Sequence, residues 1–233
     1  PREESSGPIQ RDRAGWRNAC RWKSLLPFHA ASGLLFGAAG LAALGFVALT
    51  KAISRGSTRA LDRRIKRAVH RASGPGIRLV AQSTTPMGKW WAHVPAALLT
   101  AARLRASGRS AAAGAIVGTS VAAALLPPVL ERVVARRSPP SERHEPDKQS
   151  YPSGHALQTS AMALATAYVL RCEKLRLPRV ASSLGSLALA TGLARLLLDR
   201  HWASDVLGGY CAGIGLGAAS AGAYELVRSN AEG

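Results

Sequence analysis

Acidic residues are scarce in this chain: 13 Asp and Glu stand against 31 Lys and Arg over 233 residues, a formal net charge of +18. Aromatic residues are few as well, at 5%. In a soluble protein such a charge points to nucleic acid. Here no RNA- or DNA-binding signature is present, and the basic residues lie mostly between apolar segments, the pattern of a membrane protein on anionic lipid. Nucleic acid is therefore not an expected partner; membrane lipids are. Cys20, Cys172 and Cys211 are odd in number and lack CxxC spacing, which argues against a disulfide framework and a zinc site. Residues 1–30 are basic and polar, with no short apolar segment followed by a cleavage site, so they do not resemble a signal peptide. They read as a tail ahead of a single domain over residues 31–228.

What the chain does have is long uncharged stretches. Ala31–Thr50 matches the roughly 20 residues a helix needs to cross a bilayer. Ser110–Leu130, Gly154–Leu170 and Val206–Tyr224 are similar, the second of these carrying His155. Trp90–Ala102 is short, but its paired tryptophans suit a membrane interface. Val180–Ala194 becomes long enough if Arg195 sits at the water boundary and snorkels. The expectation is an all-α integral membrane bundle of six transmembrane helices, with active-site loops at about 131–155 and 195–205 on one membrane face. Mean hydropathy is only +0.04 because the connectors are basic and Ala and Gly score weakly. Gly33-x-x-x-Gly37 and Gly209-x-x-x-Gly213-x-x-x-Gly217 each line glycines on one helical face, where helices approach closely; the plainer explanation is that Gly accompanies Ala by composition.

Between the first two spans, Arg59–Arg71 reads as a basic amphipathic helix lying on headgroups, with Leu61, Ile65, Ala68 and Val69 on one side. Gly74-Pro75-Gly76 then breaks it. Arg136–Ser150 is polar, carries Pro139, Pro140 and Pro146, and reads as a loop.

With six spans, the loops after the third and the fifth open on the same side. His155 begins the fourth span, while His201 and Asp205 begin the sixth, so groups far apart in sequence can meet. His201 and Asp205 are four residues apart and share a helical face. A carboxylate accepting from one ring nitrogen leaves the other as an attacking lone pair. Arg195 offers a fork that fits two phosphate oxygens. Pro152-Ser153-Gly154 ends a loop where a helix starts, so its backbone N–H groups can receive an anion. His155 is suited to protonate a departing oxygen, help worth roughly 10²–10⁴ in rate.

The runs Pro152-Ser153-Gly154-His155 and Arg195-x5-His201-x3-Asp205 closely resemble signatures of the type 2 phosphatidic acid phosphatase superfamily, whose third signature begins Ser-Arg where this chain has Ala194-Arg195. The resemblance implies that His201 forms a phospho-histidine, Asp205 orients it, His155 protonates the leaving group, and Ser153, Gly154 and Arg195 bind the phosphate. It implies no metal and no cofactor, and the sequence offers no cluster of carboxylates or histidines to hold one. The family's first signature, Lys-x6-Arg-Pro, is where the chain departs: it reads Glu131-x6-Ser138-Pro139, or Arg132-x6-Pro139-Pro140. Arg132 then stands where the lysine is expected, and Arg136, Arg137 or Arg143 is left to reach the phosphate. A missing charged contact costs about 1.5–3 kcal/mol, roughly ten- to a hundredfold in rate.

The expected activity is hydrolysis of a lipid phosphomonoester or diphosphate. Prenyl diphosphate, phosphatidate and phosphatidylglycerophosphate all keep their tails in the bilayer, and the resemblance favours an isoprenoid carrier diphosphate or phosphatidate. A phosphoryl or headgroup transferase on the same scaffold, and a catalytically silent protein that binds lipid or a partner, are the alternatives. His93 reads equally as a packing residue; Asp199 and Arg200 read as solvated neighbours, His144 and Lys148 as loop surface, and Trp202 as an interfacial anchor. The basic connectors 103–109 and 171–179, on the side of the basic tail, place the active site of a multi-pass cell-membrane protein on the extracytoplasmic face by the positive-inside rule. The basic connector 51–89 then faces outward and binds headgroups.

Overall fold

A computed structural model describes residues 28–132, 134–141, 149–175 and 178–232. The N-terminal tail up to residue 27, Arg143, His144 and Lys148 lie outside them. The described residues are helical, without strands: α1 (Phe28–Ser54), α2 (Arg59–Ala72), α3 (Pro75–Thr84), a 3₁₀ turn (Thr85–Gly88), α4 (Trp90–Ala106), α5 (Ser110–Leu130), α6 (Gly154–Cys172), α7 (Pro178–Leu197) and α8 (Ala203–Glu232). Helices fall on all six expected spans.

Four of them are long and apolar enough to cross a membrane, within α1, α5, α7 and α8. The other two fall short for different reasons. α4 has 17 residues, about 25 Å at 1.5 Å per residue. α6 is long enough but carries Gln158, Thr159 and Ser160, all buried. It packs against α5, α7 and α8 at once, so its neighbours rather than its own apolarity keep it from lipid. Thr159 and Ser160 donate back to the carbonyls of His155 and Ala156 at 2.7 and 2.6 Å. His93 is bonded through both ring nitrogens, to Ser120 Oγ at 2.9 Å and Gln158 Oε1 at 3.2 Å, and is a packing residue of α4. Apolar side chains point outward instead: Leu34, Leu41 and Leu44 on α1, Leu125 on α5 and Leu189 on α7 are all exposed, as a bilayer permits.

The two glycine runs have different fates. A Cβ at Gly209 would meet the Ser153 carbonyl at 2.5 Å, one at Gly217 the Ala161 carbonyl at 2.9 Å, and one at Gly213 the Leu157 backbone and Ser160 hydroxyl. That stripe is the seam between α8 and α6, and only hydrogen fits there. Gly33 and Gly37 have nothing within 4 Å; they accompany alanine by composition.

The connector 51–89 departs most from expectation. α2 forms as anticipated, but its inward residues are Asp62, Ile65, Lys66 and Val69, while Leu61 is 60% exposed. The apolar side read from the sequence is displaced because a buried carboxylate, Asp62, anchors the helix. Gly74-Pro75-Gly76 does end α2. It also opens α3, with Gly74 as N-cap and Pro75 in the first turn. α3 and the 3₁₀ turn then fold back on α7.

Candidate active site

The N-terminus of α6 and the turn between α7 and α8 lie together at one end of the bundle. Tyr151 fastens the intervening loop to α1: fully buried, it stacks on Phe46 with ring centroids 5.6 Å apart and shares a 2.8 Å hydrogen bond with Thr50 Oγ1. Burial pushes its hydroxyl up from the usual phenol range, so it remains a donor. The next residues join the two runs directly. The Ser153 N–H donates to the Asp205 carbonyl at 2.9 Å, bringing the Pro-Ser-Gly-His turn against the first turn of α8.

His155, Arg195 and His201 line one cavity of about 650 Å³. Gln82, Thr85, Pro86 and Lys89, from α3 and the segment after it, form the facing wall, with Trp91, Leu198 and Arg200 completing it. Arg195 is 4% exposed and donates to Thr85 Oγ1. Among the described residues, the buried His155 Nε2 and Arg195 Nε have no hydrogen-bond partner. Buried polar atoms are rarely left so, and two in one cavity suit a polar ligand. Among the described residues the cavity collects Lys89, Arg195 and Arg200 and no carboxylate, a lining that suits an anion.

His201 donates from Nδ1 to the Ser150 carbonyl at 2.8 Å. That bond sets the tautomer, with the lone pair on Nε2. Asp205 Oδ2 stands 3.9 Å from Nδ1, within reach of its field but beyond a hydrogen bond. Oδ2 instead accepts the Trp202 N–H at 2.8 Å, half of a capping box that starts α8. Oδ1 accepts from Arg136 at 2.6 Å.

The other sequence candidates are placed elsewhere. Arg136 bonds Asp62, Ser204 and Asp205 and does not line the cavity. Arg137 is exposed, and its carbonyl accepts the Trp202 indole N–H at 3.0 Å. Arg132 is exposed at the end of α5. Of the loop's described arginines Arg132, Arg136 and Arg137, only Arg136 turns inward, and two carboxylates capture it there. Ser153 is fully buried and Gly154 packs on Pro127; neither lines the cavity. Trp202 lies between Lys66 and Arg136, at 5.9 and 5.8 Å from its ring centroid, and so clamps loops together in addition to any interfacial role. Asp199 is not a solvated neighbour: it is buried, between Lys66 at 3.9 Å and Arg78 at 3.8 Å. Arg200, read the same way, lines the cavity.

Lys89 and Thr85 were not legible as site residues. The one hint was a lysine directly before Trp90-Trp91, a cation at a helix start beside an interfacial aromatic pair. Among the described residues, no group of three or more His, Cys, Asp or Glu could hold a metal ion.

A family model described as the PAP2 superfamily matches residues 110–227. The chain belongs to the PAP2 superfamily. Among curated proteins, no relative matches. Among solved structures, the chain is similar to a transmembrane PAP2-type phosphatidylglycerolphosphate phosphatase from Bacillus subtilis, with 24% sequence identity and a TM-score of 0.69 over 84% of this chain and 96% of that one. The PAP2 fold of this multi-pass membrane protein thus extends beyond the residues that the family model matches. Family and fold together support a membrane phosphatase.

Proposed function

We propose that this PAP2 protein is a metal-independent lipid phosphatase acting on a phosphomonoester or diphosphate through a phospho-histidine. The observation that carries the reading is the single cationic cavity lined by His155 and His201. The lone pair on His201 Nε2 attacks phosphorus. As the nitrogen–phosphorus bond forms, the bond to the lipid oxygen breaks, and His155 gives that oxygen its proton. An anionic substrate beside His155 favours the imidazolium needed for this step. Water then attacks the phospho-histidine, its proton passes to His155, and phosphate leaves. Arg195, Lys89 and Arg200 balance charge on the phosphoryl oxygens, where most of the help in such a reaction lies.

A site at one end of the bundle, beside Trp90 and Trp91, favours a substrate whose tail stays in lipid. Phosphatidate, isoprenoid carrier diphosphates and phosphatidylglycerophosphate form the test panel. The opposite end carries Arg103, Arg105, Arg109 and Arg171, which supports a cell-membrane protein with its cavity on the extracytoplasmic face. Labelling of a cysteine introduced at Ser141, in a cysteine-free background and intact cells, tests that face.

The deciding experiment is phosphate release by purified protein in detergent with a chelator present. Release that is inhibited by vanadate supports the phosphatase. Phosphoryl exchange onto an alcohol without release assigns a transferase, and inertness toward the whole panel assigns a silent lipid- or partner-binding protein.

A further inference from the structure

Asp62 is a carboxylate 2% exposed on a helix that otherwise carries Arg59, Arg63, Arg64, Lys66, Arg67 and Arg71. Docking α2 would need only an apolar residue there, since a buried ion pair seldom adds stability over a well-packed apolar contact. What Asp62 does instead is share a guanidinium. Arg136 Nη2 donates to Asp62 Oδ2 and Nη1 to Asp205 Oδ1, each at 2.6 Å. Ser204 ties the knot: its N–H and Oγ–H donate to Asp62 at 3.0 and 2.7 Å, and its Oγ accepts from Arg136 at 2.7 Å.

The knot reaches His201 through the backbone. The Arg136 carbonyl accepts the Ser150 N–H at 2.8 Å, and the Ser150 carbonyl accepts His201 Nδ1–H at 2.8 Å. The geometry assigns Asp62, outside the residues that match the family model, as a positioning residue: it splits Arg136 between two carboxylates and so holds the Ser150 carbonyl under His201. Arg136 is in this assignment a strut and not a phosphate ligand. Without Asp62, both guanidinium nitrogens can turn to Asp205 in the bidentate arrangement that pair favours. Arg136 then moves, and Ser150 moves with it. The role in turnover rests on the phosphatase reading; the effect on the His201 tautomer does not.

The test pairs kinetics with a spectroscopic readout on full-length protein in detergent. In Asp62→Asn, kcat falls about a hundredfold, the cost of a small displacement remote from the chemistry, while KM stays within about twofold. Asp62→Glu, which keeps the charge, recovers most of the loss. Nitrogen-15 histidine spectra, assigned with His201→Ala, give the Nδ1–H tautomer for His201 in the parent and a mixed tautomer in Asp62→Asn. Should Asp62→Asn not purify as a monodisperse species, Arg136→Lys replaces it, because an ammonium lacks the rigid planar fork that spans the two carboxylates at fixed spacing, and the same losses are expected. Unchanged kcat with an unchanged tautomer, or a loss confined to KM, overturns the assignment. A protein inert toward every lipid phosphate overturns the phosphatase reading alone, and the tautomer shift then decides the role of Asp62 by itself.

Discussion

His201 takes its orientation from Ser150: the ring Nδ1–H meets the Ser150 carbonyl at 2.8 Å. The Asp205 carboxylate lies 3.9 Å from the same nitrogen and is committed to Arg136 and the Trp202 N–H. The acceptor that sets the tautomer is thus a backbone atom 51 residues away in sequence.

Two variants separate these roles. His201→Ala removes the nucleophile and abolishes phosphate release. Asp205→Asn loosens one end of the Arg136 strut but keeps the Ser150 carbonyl as the acceptor for Nδ1, so it costs on the order of 10²-fold in kcat, less than the ~10⁴-fold loss seen where a carboxylate alone sets the tautomer. Equal and complete loss in both would show that Ser150 does not suffice.

Lys89 and Arg195 differ in burial, and the difference should appear in kinetics. Arg195 is almost fully buried in the cavity wall, and Arg195→Gln removes charge-assisted bonds worth about 1.5–3 kcal/mol, lowering kcat/KM roughly ten- to a hundredfold. Lys89 stands at the start of α4 beside the interface, and Lys89→Gln raises KM with a smaller effect on kcat. A Lys89 variant with parent kinetics at low salt would remove it from the site.

Gly88 closes the 3₁₀ turn directly over His155. A Cβ at that position would lie 2.5 Å from His155 Cδ2 and 2.8 Å from Thr191 Cγ2. Gly88→Ala therefore displaces the imidazole, and kcat drops well before thermal stability does. Turnover equal to the parent would mean that the turn moves instead.

The α6–α8 seam predicts a contrast between glycines. Gly213→Ala overpacks the contact and lowers stability by about 1–3 kcal/mol, read as a lower unfolding temperature in detergent. Gly33→Ala meets open space and stabilises α1 by about 0.5–1 kcal/mol. Equal shifts in the two would contradict the seam.

Long apolar stretches, separated by basic connectors, pointed by themselves to a chain that crosses a membrane as helices, because uncharged runs of about 20 residues bury their backbone polar groups there only that way; four helices are long and apolar enough to do so. Pro152–His155 and Arg195-x5-His201-x3-Asp205 likewise pointed to His155, Arg195 and His201, which meet in one cavity, since their spacing sets them at helix ends facing one side. Tertiary structure alone decided which cations reach the cavity. α3 was hidden behind a Gly-Pro-Gly run that reads as a break, although proline is at home in a helix's first turn. That helix leads the chain to Thr85 and Lys89, which follow it at the site, while Arg136, near in sequence to the family's first signature, is drawn away by Asp62 and Asp205. Local pattern sets helices and their faces; which of several like charges meets an anion depends on the carboxylates that packing brings to each, and those come from distant parts of the chain.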